Sequence, residues 1–64
     1  MRVEGIDYLI VWKAFTPGAS FFVPCLDPVR ARKEMQPALK RLQLEVAMKV
    51  VIEDGIKGLR VWRI

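Results

Sequence analysis

Hydrophobic and polar positions alternate in three different ways along these 64 residues. From Ile6 to Phe15 the chain is β-branched and aromatic, without Gly or Pro, and the pattern predicts a first strand. Both faces of that strand are apolar: Ile6, Tyr8, Ile10, Trp12 and Ala14 alternate with Asp7, Leu9, Val11, Lys13 and Phe15. Its facing is therefore open. Thr16-Pro17-Gly18-Ala19 predicts a reversal, with Pro fitted to the second turn position and Gly able to take a positive φ. Ser20 to Val23 reads as a short second strand. Pro24 cannot donate to a ladder, so this strand ends there or lies at a sheet edge.

A helix is predicted from Pro28, because Asp27 suits an N-cap and Pro has the φ required at the first helical position. Ala31, Met35, Ala38, Leu39 and Leu42 recur at spacings of three and four and form one apolar stripe. Pro37 interrupts it, removing one backbone bond and crowding the carbonyl four residues earlier, so a kink or a break into two short helices is expected.

After Leu44 the period becomes two. Val46, Met48, Val50 and Ile52 fall on one face, with Ala47, Lys49, Val51 and Glu53 on the other. Asp54-Gly55 is a favoured hairpin pair, although Gly58 also allows a longer loop, and Leu59 to Ile64 returns as the last strand. Either loop length keeps the same parity. Leu59 and Val61 join the Val46 to Ile52 face, and Arg60 and Trp62 join Lys49 and Val51. The predicted order is β-β-α-β-β: an α+β fold in which one helix, kinked or broken, packs on one face of a largely antiparallel sheet. At this length residues 1–64 make one small domain.

Composition narrows the chemistry. The chain has no His, one Cys (Cys25), one Ser (Ser20) and one Thr (Thr16), so Ser-His-Asp, Cys-His and Cys/His zinc arrangements cannot be assembled within it. Cys25 precedes a helix start, which would lower its pKa, but it has no partner base and reads as a small buried residue. No enzyme and no cofactor is predicted. A single Cys excludes an internal disulfide and suits a reducing cytoplasm. The longest apolar run, Tyr8 to Trp12, is too short to span a bilayer, so no membrane partner is expected.

Eleven Lys and Arg against seven Asp and Glu leave a charge of +4, which favours acidic partners. Two surfaces are candidates for nucleic acid. On the sheet face away from the helix, Lys49, Arg60 and Trp62 come together, joined by Tyr8 and Trp12 if the first strand faces that way. Rings interleaved with cations suit single strands, by stacking and phosphate neutralisation. Equally, the tryptophans can cover a small core or a homodimer interface. The second surface is the polar side of the helix, with Arg30, Arg32, Lys33, Lys40 and Arg41, which suits a phosphate backbone or serves as an ordinary solvated face. There is no Asn, and the only Gln residues are Gln36 and Gln43, so low sequence specificity is expected. Glu53-Asp54 offers a cation too few ligands and reads as turn chemistry. Gly55-Ile56-Lys57-Gly58 matches the G-x-x-G clamp of KH domains in letters only, since that loop joins two helices.

Ser20-Phe21-Phe22-Val23-Pro24, the basic helix, and Glu53-Asp54-Gly55 followed by Gly58-Leu59-Arg60-Val61-Trp62-Arg63 resemble a group of short bacteriophage-encoded proteins. That group shares an S-F-F-V-P segment and an E-D-G…G-h-R-V-W-R ending; the likeness extends over roughly residues 15–64 in spacing and is tight at its two ends. Pro37 departs from the pattern. The resemblance implies a phage origin, the cytoplasm of an infected host and a small accessory role. The expectation is a non-catalytic accessory protein that binds nucleic acid, single strands in preference, through Lys49, Arg60 and Trp62 on the sheet with support from Arg30, Lys33, Lys40 and Arg41. The alternative is a module that binds a host or phage protein, or a second copy of itself, through its apolar sheet face.

Overall fold

The computed structural model describes residues 1–64. Its elements are β1 (Arg2–Val3), β2 (Ile6–Asp7), a 3-10 turn (Trp12–Ala14), β3 (Ser20–Pro24), α1 (Pro28–Arg41), β4 (Val46–Glu53) and β5 (Ile56–Arg63). The fold is α+β, with β1 and β2 paired as one small antiparallel sheet and β3-β5-β4, in that order, as a second.

The first predicted strand is the main departure. Only Ile6 and Asp7 pair, with Val3 and Arg2 across a tight turn at Glu4-Gly5, and both turn residues have positive φ. The rest runs as extended coil into the 3-10 turn. A strand apolar on both faces needs two buried sides, and a 64-residue chain has only one core. Tyr8 and Trp12 turn toward that core and Ile10 is half-buried, while Leu9, 95% exposed, and Val11 face solvent. The 3-10 turn then breaks the alternation. It draws Phe15 under Trp12, where the Phe15 N–H donates to the Trp12 carbonyl (3.1 Å) and the rings meet edge to face at 6.1 Å. Phe21 completes an aromatic cluster, 5.0 Å from Phe15 and 6.2 Å from Trp12.

The helix begins as its sequence dictates: the Asp27 side chain accepts from the Arg30 N–H (3.2 Å), with Pro28 in the first turn. A second carboxylate reinforces this end, since Glu4 accepts from the N–H groups of Leu26 (2.9 Å) and Asp27 (2.7 Å) and so ties the β1–β2 turn to the helix start. The helix runs unbroken through Pro37 to Arg41, so the break into two short helices does not occur. Pro37 is exposed, so the Lys33 carbonyl it leaves free lies on the hydrated side. The helix stops in a Schellman arrangement: Gln43 takes φ +56, the Gln43 N–H donates to Lys40 and the Leu44 N–H to Leu39.

The C-terminal hairpin closes on the two-residue turn Asp54-Gly55, both at positive φ, with Glu53 opposite Ile56. Gly58 therefore lies within β5, not in the loop. A Cβ there would strike the Val23 carbonyl oxygen and come within 2.7 Å of the Phe22 ring, which lies across this position from β3. The core gathers Val3, Phe15, Val23, Cys25, Ala31, Met35, Leu39, Leu59 and Val61 between α1 and one face of the larger sheet. β4 contributes no fully buried side chain.

Candidate nucleic-acid interface

Strand register assigns the two candidate surfaces to opposite sides of the molecule. Trp62 pairs with Ser20 and Ala47, and Arg60 with Phe22 and Lys49, so these side chains share the sheet face away from α1. The parity read from sequence thus brings Lys49, Arg60 and Trp62 together. Tyr8 and Trp12 do not join them, because both pack on the core side. In their place comes Phe22, which sequence reasoning left without a role. The alternation Phe21-Phe22 was the available signal, but it is readable only once β3 is known to pair with β5 in this register.

Arg60 is already engaged on this face. Its Nε donates to Glu53 (2.8 Å), its terminal nitrogens reach Glu53 (2.5 Å) and the Ser20 hydroxyl (3.2 Å), and its guanidinium stacks 5.8 Å from the centre of the Phe22 ring. The hydrogen bond to Glu53 raises its pKa further above the ordinary range. Lys49 is the remaining cation here and is exposed; Trp62 is 36% exposed, enough to offer part of a ring.

The helix side is different in character. α1 carries Arg30, Arg32, Lys33, Lys40 and Arg41 with one carboxylate, Glu34, while the six cations and six carboxylates elsewhere cancel. The whole net charge of +4 therefore belongs to this helix. All five cations are exposed. Arg30 spends part of its charge on Glu34, 3.2 Å away one turn on. Lys33 and Lys40 lie two turns apart, about 10 Å along the axis, opposite the stripe of Ala31, Met35 and Leu39 that faces the core.

A third feature is an open cleft of about 570 Å³ between the β1–β2 hairpin and the start of α1, lined by Ile6, Tyr8, Pro24, Cys25, Leu26 and Ile56 among others, with Arg30 and Lys57 at its rim. Leu26 is 91% exposed there. Cys25 is buried, and its thiol pKa is pushed up by that burial and by Glu4, against the opposing pull of Lys57. This reverses the depression expected from its place before a helix. Glu53 and Asp54 are accounted for by Arg60 and by the turn. No helix is long and apolar enough to cross a membrane.

Compared with protein-family models, with curated proteins and with solved structures, the chain matches none.

Proposed function

We propose that this chain is a non-catalytic accessory protein that binds nucleic acid with low sequence specificity, through phosphate contacts made by the outer face of α1. The observation that carries this reading is the concentration of the entire net charge on one helix whose five basic side chains are all exposed. Lys33, Lys40 and Arg41 lead the contact; Arg32 and Arg30 flank it. Such contacts release condensed counterions and read the backbone rather than the bases. The sheet face serves as a weaker second surface, since Arg60 is held by Glu53 and only Lys49 and part of Trp62 remain to meet a strand.

The test is fluorescence anisotropy of labelled single-stranded and duplex oligonucleotides across a salt series. Replacing Lys33, Lys40 and Arg41 together by Gln should lower affinity and flatten the log–log salt slope by about two to three. Trp62→Ala should leave it nearly unchanged. No binding at low salt, or equal binding by the triple variant, would overturn the proposal. A loss confined to Trp62→Ala would move the contact to the sheet.

A second reading, recognition of a host or phage protein, rests on the apolar cleft beside Leu26, Ile6 and Ile56. Leu26→Asp would then abolish partner binding and leave nucleic-acid affinity intact.

A further inference from the structure

The two edges of the larger sheet are treated differently. In a two-residue hairpin the flanking pair exchanges both backbone bonds, so Glu53, Val51, Lys49 and Ala47 turn their groups to β5; the bond from the Ile64 N–H to Glu45 continues that alternation. Val46, Met48, Val50 and Ile52 consequently present their N–H and carbonyl groups outward. The opposite edge, β3, is blocked at its end: Pro24 has no N–H to offer, and its carbonyl accepts from the Tyr8 hydroxyl (3.4 Å), which leaves only Ser20 and Phe22 with outward backbone groups. β4 has neither protection. Its apolar side extends past the helix, leaving Val50 46% and Ile52 71% exposed.

We propose that β4 pairs antiparallel with β4 of a second copy of this chain, with Val50 opposite Val50 at the two-fold axis. Only registers that place even positions opposite even positions complete the ladder. Centring on Lys49 would oppose two lysines and set Glu45 against Glu53, which like charges forbid. Centring on Val51 shortens the overlap and sets Met48 opposite Asp54. Centring on Val50 pairs Met48 with Ile52, keeps the two Lys49 side chains off direct opposition by placing each against Val51, with Glu53 and Lys49 of the second copy as its two diagonal neighbours, and extends the pairing from Ala47 to Glu53. It also directs Ile52 of the second copy to a cavity of about 160 Å³ beside the edge, lined by Arg32, Gln36, Val46 and Met48.

Because the paired side chains share a face, both helices lie on one side of the resulting six-stranded sheet. The dimer then carries twice the basic surface on that side. This inference rests on the fold and not on the nucleic-acid reading, and its test contains no nucleic acid.

Light scattering across a range of protein concentration should give a mass rising from 7.4 kDa toward twice that value. Val50→Pro, which removes an outward N–H unused within one chain, and Ile52→Lys, at an exposed position, should each hold the mass at the monomer value. If Val50→Pro loses its far-ultraviolet dichroism, Ile52→Lys carries the test. In a mixture of labelled and unlabelled protein, a cross-copy nuclear Overhauser contact between the Hα atoms of Lys49 and Val51 should appear. A wild-type chain that stays at 7.4 kDa, or a dimer that survives Ile52→Lys, would overturn the proposal.

Discussion

Arg60 on β5 and Glu53 on β4 form a two-point ion pair, at 2.8 and 2.5 Å, across the solvent face of the sheet. The pair decides how much of that face is available to an anion. A guanidinium that meets its carboxylate in this fork geometry has its preferred donors occupied before any phosphate arrives. Glu53→Gln should free it. The variant is expected to bind single-stranded oligonucleotides more tightly at low salt, with a log–log salt slope steeper by about one. Adding Trp62→Ala should remove most of that gain. Anisotropy titration of the wild type and the two variants measures both effects, and an unchanged slope in Glu53→Gln would show that Arg60 never competes for phosphate.

Gly58 is required by a neighbour and not by its φ. A methyl group at this position meets the Val23 carbonyl and the Phe22 ring, and the backbone oxygen cannot swing away as a flexible side chain would. Gly58→Ala should cost about 1–3 kcal/mol, the usual penalty for overpacking. Phe22→Ala in the same background removes the ring but not the oxygen, so it should recover only part of the loss. Urea denaturation of the three variants checks this order.

Pro37 is tolerated, not favourable. Replacing it with Ala supplies an N–H for the Lys33 carbonyl and removes the ring's clash, while restoring some freedom to the unfolded chain. The net expectation is a gain of about 2 kcal/mol. Thermal unfolding would show it as a raised midpoint; a lowered midpoint would mean that the helix depends on a bend at this point.

Burial raises the Cys25 thiol above its ordinary value of 9.0, with Glu4 adding to the effect. The folded chain therefore holds the thiol proton more tightly than the unfolded chain does. The associated stability is complete below about pH 9 and falls as pH rises through and beyond the ordinary thiol range. The stability difference between wild type and Cys25→Ala, followed by urea titration, should shrink over that window. At neutral pH a thiol reagent should label Cys25 at least about tenfold more slowly in the folded state than in urea, because reaction waits for opening.

The residues from Ser20 onward were legible in the sequence because each of their signals is local. Asp27-Pro28 starts a helix wherever it stands, Asp54-Gly55 supplies the positive φ values of a tight hairpin, and alternation from Val46 onward sets which side chains share a face. That parity placed Lys49, Arg60 and Trp62 together correctly. The segment Ile6–Phe15 was not legible, since its composition suits a strand while its conformation depends on which side chains a single core can admit. Tertiary structure alone folded Trp12 against Phe15 and Phe21, brought Phe22 to the solvent face, tied Arg60 to Glu53 and left β4 as the open edge. Each of these depends on contacts between elements far apart along the chain. Local propensity carries no information about such distances, and only packing around one small core selects among them.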